Sequence, residues 1–398
     1  MKKSIAVMEF GTSKITVLIG SRGLNNSISV DGIGVCDYDG YADGDWIAPE
    51  KLSDAVVRVL DGAKSSARRG VDRLYVGVPG EFMRCFVTES SISLGKKRRV
   101  LESDVEMLHE QGCAGIEHDG YERVNIGPVY YTLEQDSKLI NPVGLVSNKL
   151  SGCISYMYMD TAFKTAIESA VRFAGVEVTD YVSTAFAETQ LLFDDYRRDA
   201  GTLLADVGAL ETTLSYGRGD GICFCTTLPW GGDYITYVLT EALGLSRDTA
   251  DKLKKQVNLC LDPQYVMDSD EPGFMQTEYT VDENGEPRSF RVSDINNLVE
   301  QAIKYFVQCV EQALKSCEFQ IPDMIPLSIT GGGLNIRGSA ECVKLRLKRD
   351  VETVAPKLPT WDNPVYSAAL SLMDVVLASE GEREGLASKL KSFFTKRK

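Results

Sequence analysis

The order of apolar and polar residues divides the first part of the chain into strands and one helix. Short apolar runs at 4–10, 15–20 and 27–35, separated by turn residues, predict three strands of an antiparallel meander. Between Leu52 and Ala67 the apolar residues recur at helical spacing, and the run Leu74–Val78 predicts a buried strand. A meander, a helix and a strand in this order indicate an α/β domain.

The pattern changes between about residue 81 and residue 157. Strand-like runs at 84–94 and 124–133 flank a polar helix at about 102–111, which predicts a small inserted α+β domain. Four consecutive basic residues stand at 96–99, between the first of these strands and the helix. They fit either a solvated turn or a contact with an acidic neighbour.

The remainder of the chain begins with strands and then becomes mostly helical. Helices are predicted at Asp160–Ala174 and Ala185–Leu192, strands from Leu203 onward, and further helices at Glu241–Val257 and Val292–Cys317. Together these segments indicate a second α/β unit with a helical addition.

Two shorter signals lie in the last third of the chain. The polar segment Asp262–Arg291 contains one strand-like run, Tyr279–Val281, followed by Asn284-Gly285, a strong hairpin signal. Pro364–Ala378 predicts a buried helix, and the charged residues 380–384 predict an exposed acidic linker.

The C-terminal residues 385–398 predict an amphipathic helix that binds a membrane surface. Four large apolar residues fall on one helical face, at i, i+4, i+7 and i+8: Leu386, Leu390, Phe393 and Phe394. Basic residues surround the other face: Lys389, Lys391, Lys396 and Arg397. Basic residues opposite an apolar face are typical of helices that lie on anionic lipid.

Composition limits the classes of function. The chain has 398 residues and a net charge of −14, which argues against general nucleic-acid binding because phosphates would be repelled. The ten cysteines include no C-x-x-C pair, which argues against a zinc site. In the absence of a secretory signal we expect reduced thiols in a cytoplasm. The chain has only two histidines, which argues against a histidine-centred triad. It has no apolar run long enough to predict a membrane-spanning helix.

Three glycine-containing turns carry the candidate chemistry. The first loop (Gly11–Lys14) follows Glu9, the second loop (Gly208–Glu211) follows Asp206, and the third loop (Gly331–Gly333) follows an apolar strand. Glycine lets a backbone approach a phosphate closely, and an acid at the end of a strand can hold Mg²⁺ through water. Each turn alone is typical of an ordinary connection, and only their combination predicts a phosphate-binding cleft.

This combination resembles the actin-like ATPase superfamily and, within it, the FtsA family of bacterial cell-division proteins. Met8-Glu9-Phe10-Gly11 and Ala205-Asp206-Val207-Gly208 repeat one pattern, as the duplicated fold of that superfamily requires. The stretches VMEFGTSKITVLIG, RLYVGVPGEFMRC and LPWGGDYIT are similar to the FtsA opening hairpin, the strand entering its inserted domain, and a Gly-Gly-Asp segment. The resemblance covers nearly the whole chain.

The resemblance implies an α/β, duplicated ribonuclease-H-like (actin-like) fold with a small inserted α+β domain and a C-terminal amphipathic helix. The implied parts are a first half at 1–80 and 158–197, the inserted domain at 81–157, a second half at 198–240 and 301–364, its small subdomain at 241–300, a closing helix at 365–379, and a linker with a membrane helix at 380–398.

The resemblance also implies a nucleotide site for ATP and Mg²⁺. The residues that match nucleotide-binding positions are Gly11, Thr12, Ser13, Lys14, Gly208, Thr212, Asp251, Lys254, Gly331, Gly332 and Gly333. Glu9 and Asp206 match the metal positions, and no catalytic residue is assigned.

The second loop departs from the family, whose usual sequence is Asp-Ile-Gly-Gly-Gly-Thr-Thr-Asp. Ala209 and Leu210 replace two glycines and Glu211 replaces a threonine, so side chains and a negative charge stand where phosphate would approach. We therefore predict weak ATP binding with negligible hydrolysis; complete loss of binding is the alternative.

The family resemblance implies a tether that joins FtsZ to the cytoplasmic face of the membrane at the division septum and polymerises. Its implied partners are the FtsZ C-terminal tail, copies of itself, the anionic membrane surface and other division proteins. Basic residues that could meet the acidic FtsZ tail are Lys252, Lys254, Lys255, Arg288 and Arg291. An actin-like scaffold of pilus assembly or cell shape stays open as an alternative, and a sugar-kinase-like phosphotransferase fits less well.

Overall fold

The computed structural model describes residues 5–23, 27–42, 44–116, 119–134, 137–260 and 277–395, with side chains in the last helix as far as Gly381. The first half opens with β1 (Ile5–Phe10), β2 (Lys14–Arg22), β3 (Ile28–Asp37), the short pair β4 (Tyr41–Ala42) and β5 (Asp45–Trp46), α1 (Leu52–Ala67) and β6 (Arg73–Val78). The predicted meander, helix and strand are therefore confirmed.

The segment after β6 leaves the first half and forms a separate small sheet. It contains β7 (Met83–Arg99), α2 (Glu102–Cys113), β8 (Tyr121–Thr132) and β9 (Val146–Asp160), with the strands in the order β7-β9-β8. Its core is closed by Leu108 of α2 against Tyr156 of β9, both fully buried. The basic run is not a turn: it belongs to β7, and Arg98 makes two hydrogen bonds to the buried Asp104, at 2.6 and 2.8 Å.

The chain then returns to the first half through capped helices. The elements are α3 (Thr161–Phe173), β10 (Val178–Ser183), α4 (Thr184–Leu192) and α5 (Asp195–Ala200). Asp160 caps α3 by accepting from the backbone N–H of Ala162 at 2.7 Å, and the Ser183 hydroxyl accepts from Phe186 to cap α4.

The second half contains the remaining elements. They are β11 (Thr202–Val207), β12 (Thr212–Arg218), β13 (Gly221–Leu228), α6 (Gly232–Leu243), α7 (Arg247–Lys254), β14 (Glu278–Glu283), β15 (Glu286–Arg291), α8 (Val292–Ser316), β16 (Leu327–Thr330), α9 (Ser339–Leu347), β17 (Val351–Thr353) and α10 (Ser367–Thr395). The predicted hairpin turn joins β14 to β15, with Asn284 at φ 56° and Gly285 at φ 87°.

Two five-stranded sheets repeat one topology. The first has the order β3-β2-β1-β6-β10 and the second the order β13-β12-β11-β16-β17. In each sheet the first three strands in sequence pair antiparallel, and the two later strands add in parallel beside the first strand. The fold is therefore a duplicated actin-like α/β fold, as the sequence predicts.

The final helix crosses back to the first half. Leu372 and Met373 of α10 are buried against the first sheet, and Asp374 forms an ion pair with Arg22 of β2 at 2.8 Å. The C-terminal helix therefore covers the sheet that the N-terminal strand begins. The first half is built from both ends of the chain, and the second half lies between them in sequence.

Two sequence predictions about helices are wrong in detail. The helix predicted at Glu241–Val257 is two helices, α6 and α7, because Gly244 takes a left-handed conformation with φ 61° and ends α6. The exposed linker predicted at 380–384 lies within the continuous helix α10, and Glu380 is only 6% exposed.

Candidate functional site

The three glycine-containing loops lie around one cavity between the two halves. Its volume is about 500 Å³, and its wall includes residues of both sheets and of α4, α6 and α7. The predicted site residues that line it are Glu9, Gly11, Thr12, Ser13, Lys14, Asp206, Gly208, Asp251, Lys254, Gly331, Gly332 and Gly333. This cavity is called the cleft below.

Thr212 is the predicted site residue that the structure places elsewhere. It is fully buried, and its hydroxyl donates a hydrogen bond to the backbone carbonyl of Trp230 at 2.7 Å. Thr212 therefore fastens β12 to the segment before α6 and does not face the cleft.

The first two loops are equivalent turns in equivalent hairpins. The N–H of Gly11 donates to the carbonyl of Lys14 at 2.9 Å, and the N–H of Gly208 donates to the carbonyl of Glu211 at 2.8 Å. The first loop and the second loop therefore have the same turn geometry, and they face each other across the cleft. The repeated sequence pattern predicts this equivalence.

The third loop packs tightly on the second. The N–H of Gly333 donates to the carbonyl of Val207 at 2.7 Å. Gly331 has φ 85°, and a Cβ atom there would lie 2.4 Å from Oδ1 of Asp206. Glycine is thus required at 331 both by its backbone conformation and by its contact with the acidic side chain.

Three acidic side chains from both halves meet at the cleft. Burial, opposed by Lys14 and reinforced by the charge of Asp206, raises the pKa of Glu9 to about 7. Burial raises the pKa of Asp206 to about 6. Burial, together with the charges of Asp206 and Glu9, raises the pKa of Glu188 well above its usual range. A cation in the cleft would relieve the mutual repulsion of these carboxylates.

Glu188 is the site residue that sequence reasoning missed. It is 1% exposed, it lines the cleft from α4, and its Oε1 atom has no hydrogen-bond partner within the described part of the chain. The available signal was a single acid in a helix whose neighbours are otherwise apolar or uncharged, Thr184–Leu192. A buried, unpaired carboxylate oxygen at a cavity wall is a strong indication of a ligand-facing group.

These acids fit a hydrated cation better than a directly coordinated one. Over the described ranges, no three His, Cys, Asp or Glu residues are arranged to hold a metal ion directly. Mg²⁺ commonly keeps several water ligands and binds through one or two carboxylates. Glu9, Asp206 and the unpaired oxygen of Glu188 therefore suit Mg²⁺ held through water.

The opposite wall of the cleft is formed by a charged group on α7. Nζ of Lys254 lies 3.0 Å from Oδ1 of Asp251 and also donates to Thr236 and to the carbonyl of Gly232. Burial opposes ionisation of Asp251, but hydrogen bonds from Lys255 and Lys254 outweigh it and lower the pKa of this carboxyl. Asp251 and Lys254 thus form a fixed polar wall beside the third loop.

The basic residues predicted to meet FtsZ do not form one free cluster. Lys254 is committed to the cleft, Lys255 is paired with Asp251 at 2.6 Å, and Arg288 donates to the carbonyls at the end of α6. Lys252 and Arg291 are exposed. Charge reversal at these two positions is therefore the more informative test.

The predicted membrane residues fall at the end of α10. Leu386, Lys389, Leu390, Lys391, Phe393 and Phe394 lie in the range of this helix, and Lys396 and Arg397 lie outside the described residues. Across the described ranges, no helix is both long enough and apolar enough to cross a bilayer.

Solved structures of other proteins share this architecture. One in the PilM-PilN type IV pilus biogenesis complex has a TM-score of 0.60 at 15% identity, covering 92% of this chain and 97% of that chain. MreB5 of Spiroplasma citri bound to ADP has a TM-score of 0.54 at 11% identity, covering 96% and 99%. At these identities the likeness establishes the fold, which is actin-like.

Sequence comparison then identifies the family to which this actin-like chain is related. Residues 203–371 match the family model described as cell division protein FtsA. Cell division protein FtsA of Escherichia coli (strain K12) is 22% identical over 388 residues, covering 94% of this chain and 90% of that protein. The FtsA of Enterococcus hirae is 21% identical over 374 residues, covering 92% and 81%. The resemblance read from the sequence is confirmed, and the chain is a distant relative of FtsA.

Proposed function

We propose that this protein is a nucleotide-binding adaptor of bacterial cell division, which tethers FtsZ to the cytoplasmic face of the membrane at the septum. The observation that carries this proposal is the alignment with the E. coli FtsA along 94% of this chain and 90% of that relative. An alignment of this length includes the inserted segment and both halves. A shared actin-like fold alone would not separate this role from a pilus or cell-shape scaffold.

The cleft is proposed to hold ATP with Mg²⁺. The first loop and the third loop would contact the nucleotide, and Glu9 and Asp206 would hold the metal through water. Bound Mg²⁺ would supply charge neutralisation for the phosphates and for the buried acids. Because contacts from both halves line the same cleft, nucleotide binding would favour their closed arrangement.

Hydrolysis is proposed to be negligible. Phosphoryl transfer depends on a group that positions the attacking water. Glu188 is an acid on the wall, but the second loop has Ala209, Leu210 and Glu211 where the family has glycines and a threonine, so neither the phosphate nor an attacking water is well positioned. A phosphate-release assay checks this, and turnover comparable with ordinary ATPases, abolished by Asp206→Ala, would contradict the assignment.

The C-terminal end of α10 is proposed to be the membrane anchor. Burying each large apolar side chain contributes roughly 1.5–3 kcal/mol, and each basic residue near anionic lipid adds about 1 kcal/mol. Part of this is offset by ordering the helix, so binding should be reversible and salt-sensitive. Many copies in one polymer would strengthen it.

Co-sedimentation with anionic vesicles tests the anchor. Full-length protein should pellet, whereas protein lacking residues 385–398 and the Phe393→Glu variant should stay in solution. Ser388→Glu introduces the same charge on the opposite helical face by sequence spacing, and it should retain most binding. Unchanged pelleting of Phe393→Glu would refute the proposed anchor.

Polymerisation is proposed to use the inserted segment and the second half of a neighbouring copy. Several large apolar residues of the insert are 39–59% exposed: Leu101, Met107, Val143, Leu145 and Val146. A head-to-tail contact that does not close on itself produces an open filament. Leu101→Asp combined with Val146→Asp should abolish filaments on lipid monolayers, as should deletion of 84–155; filaments of wild-type spacing would contradict this.

The FtsZ partner distinguishes this proposal from the scaffold and kinase alternatives. Its acidic C-terminal tail is expected to bind the small subdomain, which contains α7, β14 and β15. A pull-down on vesicles with FtsZ should succeed with the wild type and weaken with Lys252→Glu and Arg291→Glu. Full binding by both variants would eliminate these two residues, and no binding by the wild type would refute the division role.

A further inference from the structure

The first and second loops are directly hydrogen-bonded to each other across the cleft. The backbone N–H of Leu210 donates to Oγ1 of Thr12 at 2.9 Å. A Cβ atom placed on Gly208 would lie 3.5 Å from the same hydroxyl, which is ordinary van der Waals contact. The Thr12 side chain therefore spans the gap between the loops, and an anion that enters between them must break this bond.

The backbone amides nearest the second loop are also engaged within the protein. The N–H of Gly232 donates to the carbonyl of Gly208 at 3.0 Å, and the N–H of Asp233 donates to the carbonyl of Ala209 at 2.8 Å. These are the first amides of α6, where the helix dipole would otherwise favour an anion. The carbonyls of the second loop thus satisfy donors that a phosphate would need.

The charge of the cleft wall also opposes the binding of an additional phosphate. Acidic residues outnumber basic ones on this wall: Glu9, Glu81, Glu188, Asp206, Glu211, Asp233 and Asp251 against Lys14, Lys254 and Lys255. Asp233 is paired with Arg247, and the remaining acids still outnumber the lysines. Two of these lysines are paired with Asp251. Each added phosphate charge is therefore placed in a field that is mostly negative, and the penalty is largest beside Glu211 of the second loop.

We propose that the cleft is selective for a nucleoside diphosphate over the triphosphate. This inference rests on the proposed nucleotide-binding function and specifies its ligand. Gly11 and Lys14 of the first loop remain on the cleft wall for two phosphates and the third loop for the adenosine side, whereas the Thr12–Leu210 bridge and Glu211 act against a third phosphate between the loops. Thr12 and Glu211 are the specificity-determining residues.

Calorimetry of the full-length protein with MgADP and MgATP tests the proposal. The wild type should bind MgADP at least about tenfold more tightly than MgATP. Glu211→Gln removes a charge while keeping the size of the side chain, so it should tighten MgATP severalfold and leave MgADP nearly unchanged. Glu241→Gln makes the same change at an exposed position of α6 outside the cleft wall, and should alter neither affinity.

A second variant tests the bridge itself. Thr12→Ala removes the acceptor for the Leu210 amide and should also lower the ratio of the two affinities; a thermal melt confirms that each variant is folded. MgATP binding as tightly as MgADP, or a ratio that neither variant changes, would overturn the inference and leave the proposed function standing. Failure of both nucleotides to bind would overturn the inference together with the nucleotide part of the proposed function.

Discussion

Glu380 anchors the last helix to the first sheet, and its replacement should destabilise the protein. Oε1 of Glu380 accepts a hydrogen bond from the Tyr75 hydroxyl at 2.7 Å, and its other oxygen is paired with Arg73. The glutamate side chain is 8% exposed and that of Arg73 is 28% exposed. Both partners belong to β6, so this one carboxylate holds α10 against an interior strand of the first sheet.

The size of the effect follows from these contacts. A hydrogen bond to a charged group contributes about 1.5–3 kcal/mol, and breaking a well-buried ion pair costs about 3–5 kcal/mol. Arg73 is partly exposed, so water recovers some of its hydration after the pair is broken. We therefore expect Glu380→Ala to lower the free energy of unfolding by about 2–4 kcal/mol.

Urea denaturation followed by circular dichroism measures this loss, and hydrogen exchange of α10 localises it. Tyr75→Phe and Glu380→Ala should be non-additive in a double-mutant cycle, because both remove the same hydrogen bond. Gly381→Ala is the control: no heavy atom lies within 4 Å of a Cβ atom there, and alanine should stabilise the helix by about 0.5–1 kcal/mol. A loss below about 0.5 kcal/mol for Glu380→Ala would refute the proposed anchoring.

Three further predictions address the insert, the metal and the loop packing. Burial lowers the pKa of His109, whose ring lies 2.7 Å from the Tyr131 hydroxyl, so the contribution of His109 to stability should fall as pH drops below 6.5, whereas the raised pKa values of Glu9 and Asp206 act in the opposite direction. The wild type should therefore lose stability relative to His109→Gln between about pH 7.5 and about pH 5.5 in denaturant titrations, and a difference that does not change with pH would exclude a role for His109. Mg²⁺ should raise the melting temperature of the wild type and EDTA should reverse the rise, whereas Asp206→Asn should show neither effect. Gly333→Ala should cost about 1–3 kcal/mol because its Cβ would lie 2.2 Å from a backbone oxygen, while Gly70→Ala, which meets nothing within 4 Å, should be neutral or stabilising; similar melting curves for the two would contradict the packing argument.

Local patterns predicted most of the elements. The stripe of apolar residues predicted α1 at its observed bounds, Leu52–Ala67. Asn284-Gly285 predicted a turn that requires two left-handed residues, and the structure has them. These signals are visible because periodicity and turn chemistry depend on neighbours in sequence.

Contacts between distant parts of the chain explain what was missed. The acidic sequence after residue 379 suggested solvent, but Glu380 is buried because Arg73 and Tyr75 reach it from β6. The sequence around Glu188 gave only a weak indication of a site residue. Glu188 meets the acids Glu9 and Asp206, which belong to two different sheets, only in the folded chain. Charge composition in a short window cannot reveal partners that are brought together only by the fold.

The strand that follows the second loop, β12, contacts the chain at the start of the inserted segment. Thr213 stands where an ungapped match puts the last aspartate of the family loop, and it packs against Gly80 at the start of the insert. A Cβ atom on Gly80 would lie 2.5 Å from Cγ2 of Thr213, so the Thr213 side chain occupies the space that a side chain at position 80 would need. An aspartate at 213 would bring a charge into this contact, whereas a threonine fills it with a methyl group. Gly80 and Thr213 both line the cleft, so this contact joins the cleft wall to the start of the inserted segment. The threonine at 213 therefore packs β12 directly against the point at which the chain enters the inserted segment.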